Sequence, residues 1–524
     1  MKSTIDADVN LASFFGRLNY NYKERYLLTF TAREDGSSKF AMGNKWGFFP
    51  AASAAWRIIE EPFMAGTKKV LSNLKLRLSY GEAGNNRISN SQYLMIYSAN
   101  SGSKRYGVGE SANNHLSTTS VLANPNLTWE TTITRNVGVD FGFLDERITG
   151  SVELYWNTAK DLLIEHSITA PGYTTMYENS AETENKGIDV SLNFNLVNKR
   201  DFSLSAYANI NFNKSKVKSL SGGLESMPFQ SGWAGTDNKN TDDYIVRVGD
   251  PIGLVYGWEV DYSNGHPYYT TDDFESYDPA RKTYKLKDGV ATTSLLGGAI
   301  GVRPGTLKLK DLNNDGVVDL DDRTVIGDTN PTCSGGFGLN ATYKDFDFTA
   351  NFTYSVGNDI YNANKIATTQ QYRSGTYPNM LKIMSQSNSY SYLNQETGLL
   401  LTSLEELAAA NEGANAKEYW SPYSLGNATI IPTDWALEDA SYLRLQSVTL
   451  GYTLPTKLTK QVGIQRCRFY VTASNLFCIT GYSGYDPEVS SYSRNSSYSG
   501  LTPGIDYSSY PKSRAFTFGL NVTL

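Results

Sequence analysis

From Gly187 the chain reads GIDVSLNFNLV. Ile188, Val190, Leu192, Phe194 and Leu196 share one face, and Asp189, Ser191, Asn193 and Asn195 the other. A strict period of two is the signature of a strand with unlike faces, and helical spacing cannot produce it. The same alternation recurs at Leu74 to Tyr80, Val137 to Phe143, Ile148 to Trp156, Phe202 to Phe212, Phe346 to Tyr354 and Phe516 to Leu524. Soluble sandwich strands average about 5 to 6 residues, whereas these run to about 10, the length that crosses a membrane as a tilted strand. The repeating unit is a strand, and the pattern predicts an all-β chain built as a transmembrane antiparallel β-barrel.

The faces carry matching chemistry. One is apolar, and the other holds Thr, Asn, Ser, Asp and Lys, which suit a wet lumen, with Tyr and Phe near strand ends as in interfacial girdles. Tyr 36, Phe 22 and Trp 8 beside 45 glycines and only 19% charged residues agree with a turn-rich β protein. No apolar run reaches the roughly 18 residues of a membrane helix, which says nothing against strands.

The connections are unequal. Asn21 to Arg25, Leu144 to Arg147, Asn198 to Asp201 and Lys344 to Asp345 are tight, while 81–127, 157–184, 215–334 and 357–439 are long. Outer-membrane barrels have short periplasmic turns and long external loops. With Asn21 to Arg25 periplasmic, alternation gives about 13 strands, the last ending inward, and makes 215–334 and 357–439 extracellular. The 57–72 connection fits less neatly, being periplasmic yet longer than its peers. An odd count cannot complete an ordinary bacterial barrel, so further strands are expected upstream.

Net charge −6 with dispersed Lys and Arg gives no basic stripe for nucleic acid. Cys333, Cys467 and Cys478 lack zinc or disulfide spacing. His115, His166 and His266 are scattered, and no nucleophile motif accompanies them, so no enzyme is expected. The first 25 residues carry no export signal of the usual form. Trp233, Trp258, Trp420 and Trp435 fall in the long connections, where the rings suit either packing between loops or stacking on sugars.

One motif stands out. Asp311, Asn313, Asp315, Val317 (through its carbonyl), Asp319 and Asp322 occupy the oxygen-donor positions of a twelve-residue calcium loop, with Gly316 at its sharp turn. Asp322 replaces the usual bidentate Glu, and no flanking helix pair is evident. A structural calcium site is expected, against the plainer reading of a solvated Asp/Asn turn.

Six segments together carry a resemblance: SFFGRLNYNYKERYLLTFTAREDGSSKF, WGFFPAASAAWR, LSNLKLRLSYGEAGN, KDLNNDGVVDLDDRTVIGDTNP, SYLRLQSVTLGYTLP and FYVTASNLFCITGYSGYDPEV. In this order they resemble the carboxy-terminal half of the SusC/RagA family of TonB-dependent outer-membrane transporters. The resemblance implies the last 13 strands of a 22-stranded barrel, with the plug and first strands absent from this chain. It also implies an outer-membrane location amid lipid, a SusD-like surface lipoprotein as lid, TonB contact through the missing amino-terminal region, and import of oligosaccharides or peptides. The competing reading is a secreted or surface β-rich carbohydrate-binding or adhesion protein.

Overall fold

The computed structural model describes residues 9–99, 106–108, 111–113, 116–233, 242–296, 301–369, 379–423, 431–489 and 499–524. Thirteen long strands form a wall: β1 (Leu11–Tyr22), β2 (Tyr26–Ser37), β3 (Trp46–Arg57), β4 (Leu71–Asn85), β5 (Glu130–Phe143), β6 (Ile148–Ala170), β7 (Tyr173–Lys199), β8 (Phe202–Ser219), β9 (Cys333–Tyr343), β10 (Phe346–Val356), β11 (Tyr442–Thr453), β12 (Arg466–Thr480) and β13 (Ala515–Thr523). Sheet order equals chain order and every neighbour is antiparallel, so among the described residues β1 and β13 are the two edges. The expected strand count and antiparallel meander are both present.

Register turns the alternation into a surface. Leu28, Ala54, Leu78, Val137, Leu154, Ile188 and Phe212 pair in succession across β2 to β8, forming one apolar row. These are not core residues: Leu154 is 49% and Phe212 43% exposed. A sandwich would bury such a face against a second sheet, whereas a membrane wall leaves it to lipid. No described helix is long and apolar enough to cross a membrane, which says nothing against strands.

Connections alternate between the two ends of the wall. At one end Lys23 and Glu24 both take left-handed backbone (φ 51° and 55°) in the tight β1–β2 turn, and Leu144, Asp145 and Glu146 (φ 55°, 55° and 62°) turn β5 into β6. Tyr20, Tyr22, Tyr26 and Trp56 form a chain of rings at this end, with centroids 6.4–6.5 Å apart. Phe346 and Tyr452 make a similar pair at 4.6 Å farther along. Amphipathic rings belong at a membrane interface. The longer 57–72 connection also lies here, as two short 3₁₀ turns. Glu61 holds them, accepting from the Tyr26 hydroxyl at 2.6 Å and Trp56 Nε1 at 3.0 Å.

The 157–184 segment corrects the sequence expectation. It is not a loop but the outer part of β6 and β7, which continue as one hairpin to a turn at Pro171 and Gly172 (φ 83°). The apolar pattern stops there while the strands do not. Asp161 (φ 58°) sits at a register shift, and beyond it the pairing resumes without a lipid face to cover. Leu163 and Tyr177 of this extension pack on Phe40, Phe49, Ile88, Leu127 and Trp129.

Candidate solute path and loop unit

The polar face of the wall is cross-linked by side chains. Arg77 on β4 binds Asp140 on β5 through Nε (2.9 Å) and Nη2 (2.7 Å), and its Nη2 also reaches Glu153 on β6 at 2.6 Å. Lys75 lies 3.6 Å from Asp140, and Asn136 donates to Glu153 at 3.0 Å. Gly138 stands opposite both Arg77 and Glu153, and a Cβ there would meet the guanidinium carbon at 3.0 Å. The Tyr155 hydroxyl donates to Asn213 at 2.9 Å, the Tyr207 hydroxyl to Asn351 at 2.9 Å, and Asn351 to Ser447 at 3.0 Å. The result is a surface of hydrogen-bonding groups broken by aromatic faces, suited to lining an aqueous path. Sequence reasoning missed these links, although charged residues at polar positions of three successive strands were their signal.

At the other end, the connections β8–β9 and β10–β11 fold into one unit with its own core. Trp258, Tyr268, Leu307 and Val318 from the first pack with Tyr390, Leu407, Trp420 and Ile431 from the second. The Tyr268 hydroxyl donates to the Lys417 carbonyl at 2.8 Å, and Thr271 N–H to Glu412 at 2.7 Å, stitching the two together. Three of the four loop tryptophans are therefore core residues: Trp233, Trp258 and Trp420 are each at most 2% exposed. Trp435 packs edge-on against Trp420, centroids 4.9 Å apart, under the Lys365 ammonium. Packing between loops accounts for these rings.

A carboxyl is sealed inside the unit. Asp243 is fully buried and accepts from Ser231 N–H at 2.7 Å and from the Ser231 hydroxyl. Burial pushes it up to about 7, against the lowering effect of those hydrogen bonds. Another anchor joins the wall to the β12–β13 connection: buried Arg444 pairs with Asp486 at 2.7 Å and Glu488 at 2.6 Å, and Lys512 with Glu488 at 2.6 Å.

The Asp311–Asp322 loop lies in this unit, where its carboxylates hold backbone N–H groups. Asp322, fully buried, accepts from Leu312 at 2.7 Å, Asn313 at 3.3 Å and Asp319 at 2.8 Å. Asp311 accepts from Gly316 at 2.8 Å, Asn313 from Asp315 at 2.9 Å, Asp315 from Val317 at 2.8 Å, and Asp319 from Asp321 at 2.8 Å. Gly316 takes the left-handed turn (φ 88°). Trp258 Nε1 donates to the Asp319 carbonyl at 2.7 Å, fixing the loop to the core. Among the described residues no three carboxylate, thiolate or imidazole groups converge as a metal cluster. The donor set is nonetheless all oxygen, and Asp311 Oδ1 is buried without a hydrogen-bond partner, which suits a hard cation completed by amide and carbonyl oxygens.

A family model described as TonB dependent receptor-like, beta-barrel matches residues 2–314. The chain belongs to this family. It is 32% identical to a TonB-dependent receptor of Formosa agariphila, covering 98% of this chain and 46% of that protein. It is also 32% identical to the TonB-dependent receptor SusC of Bacteroides thetaiotaomicron, covering 98% and 43%. The structure of the RagAB peptide transporter superposes with TM-score 0.70 at 24% identity, over 98% of this chain and 48% of that one. The chain spans about half the length of the curated relatives it matches.

As a TonB-dependent receptor barrel of SusC/RagA type, the chain is an outer-membrane protein, and the exposed apolar rows are its lipid contact. The secreted-adhesin reading fails on those rows and on this family membership. Of the histidines, His266 stacks on Tyr268 at 5.0 Å, His166 lies in the β6 extension opposite Met176, and His115 lies outside the described residues. The relatives are receptors, a class without covalent chemistry on its cargo.

Proposed function

We propose that this chain is the wall and loop portion of a TonB-dependent importer, admitting oligosaccharides or comparably large nutrients. The carrying observation is the polar wall face, whose Asn, Ser and Tyr groups offer interleaved donors, acceptors and ring faces to sugar hydroxyls. A peptide cargo is the second reading, favoured by the fold shared with the RagAB peptide transporter. The end bearing 215–334 and 357–439 is extracellular, and the loop unit there is the seat for a SusD-like lipoprotein. TonB acts through a region outside this chain. Deleting the gene and measuring uptake of labelled oligosaccharides and peptides tests this: loss of glycan uptake alone is the expected result, and loss of peptide uptake alone overturns the glycan reading.

The Asp311–Asp322 loop serves this function as a structural calcium site. Asp311, Asn313, Asp315, the Val317 carbonyl, Asp319 and Asp322 would hold the ion, relieving repulsion among the Asp carboxylates in one turn. Its role is to stiffen the loop unit against the lid.

A further inference from the structure

The outer face of the wall changes character where the apolar rows end. Above the row of Val137 and Leu154 lies a row that register assigns as Ala52, Tyr80, Arg135, Trp156, Lys186 and Lys214. The next is Glu82, Ile133, Thr158, Glu184 and Lys216. From Phe143 to Arg135 is about 27 Å along β5, or about 21 Å along the membrane normal at a tilt near 40°. Arg135 therefore stands at the rim of the apolar band, which is about 25 Å tall.

Four cations meet two carboxylates in these rows, and Lys218 follows on β8. Lys186 pairs with Glu184 at 2.8 Å and stands over Trp156. The Arg135 guanidinium lies 5.0 Å from the Trp156 ring centre. The Tyr80 hydroxyl is engaged by Glu82. Among the described residues Arg135, Lys214 and Lys216 form no salt bridge, and Lys214 and Lys216 are exposed. A basic row on the lipid side of a wall is unfavourable beside acyl chains and favourable beside phosphate.

Directly alongside, the lipid face is hollow. Small residues Gly16, Ala32, Pro50, Ala52 and Ala54 stand together in three neighbouring strands. They leave two grooves of about 520 Å³ each that share Phe30, Ala52 and Tyr80 and so form one trough. Arg135 and Trp156 close its far side.

The geometry points to a binding site for a phosphorylated lipid of the outer leaflet, with acyl chains in the trough and phosphate on Arg135, Lys186, Lys214 and Lys216. This rests on the extracellular orientation of the long connections, not on the cargo, so uptake and lipid retention test separate claims. The apolar trough disfavours a free anion, and the unpaired cations disfavour a lipid without net negative charge.

The test uses the full-length transporter, stripped of lipid in mild detergent and titrated with diphosphorylated lipid A, phosphatidylcholine or inorganic phosphate, with native mass spectrometry as readout. Wild type should retain lipid A and release phosphatidylcholine. The triple variant Lys186→Gln, Lys214→Gln, Lys216→Gln should lose roughly a hundredfold in affinity, from about fivefold per basic residue at an anionic surface. Ala54→Phe keeps every charge and fills the trough, and it should weaken lipid A without creating affinity for phosphatidylcholine. Should the triple variant fail to assemble, Ala54→Phe decides alone. Equal lipid A retention in wild type and Ala54→Phe, or displacement by inorganic phosphate at millimolar concentration, overturns the proposal.

Discussion

Tyr155 and Gly187 face each other in register across β6 and β7, and a Cβ on residue 187 would sit 2.2 Å from the Tyr155 hydroxyl oxygen. Tyr207 and Gly338, and Tyr470 and Gly519, are paired in the same way, a Cβ there meeting Tyr207 Cε1 at 2.5 Å and Tyr470 Cζ at 2.1 Å. On this polar face a ring laid across a glycine follows the wall and leaves the path open, while the hydroxyls of Tyr155 and Tyr207 reach the next strand.

Gly187→Val should therefore cost about 1 to 3 kcal/mol of wall stability through overpacking. Adding Tyr155→Ser should restore part of it, the remainder being the contact of the new Cβ with the Phe212 carbonyl oxygen at 2.5 Å. Urea titration of the refolded full-length transporter measures both, and a double variant no more stable than the single would contradict the pairing.

Lipid and lumen faces should respond oppositely to charge. Leu192→Arg places a guanidinium in the apolar band and should cost about 2 to 4 kcal/mol, whereas Asn193→Arg should be close to neutral. Refolding into bilayers gives the comparison, and equal costs at the two neighbours would contradict the assigned faces.

The buried carboxyl makes the loop unit sensitive to pH. Because Asp243 is raised to about 7 by burial, the folded chain holds a proton there that the unfolded chain releases near pH 4. Its contribution is thus complete below about pH 4 and is lost as pH rises through about 7. Asp359 and Asp434, also raised by burial, act in the same direction. Asp243→Asn should flatten the fall without abolishing it. Proteolysis of the loop unit in the intact transporter from pH 4.5 to 8 reads the effect, and an unchanged slope in the variant would count against it.

The Asp loop should separate scaffold from ion. Asp322→Ala removes the acceptor of three backbone N–H groups and should cost about 3 kcal/mol or more whether or not calcium is present. Asp315→Ala, on the exposed side, should loosen the loop only in calcium. Protease protection with and without chelator distinguishes them, and wild-type protection indifferent to chelator would remove the calcium site.

The strands were legible because lipid enforces the code: a crossing backbone must be fully paired, and one face must be apolar for its whole height. Where β6 and β7 leave the bilayer, that demand lapses, so Asn157 to Glu184 reads as loop although it pairs as strand. The loop unit was illegible for another reason. Its core joins Trp258 to Ile431 and Tyr268 to Tyr390, contacts between distant segments that no local period announces. The Asp loop's spacing was visible at once. That Asp322 would serve the backbone as a hub was not, since spacing marks where an oxygen sits and not which N–H it meets.

The two connections that build the loop unit rise from β8, β9, β10 and β11, four neighbours in a wall of thirteen. The β12–β13 connection braces it as well, Ile505 and Asp506 pairing with Tyr361 and Asn362. A load on the unit is therefore shared between that brace and the β9–β10 hairpin, whose two upper ends feed different halves of the unit and work as its hinge pin.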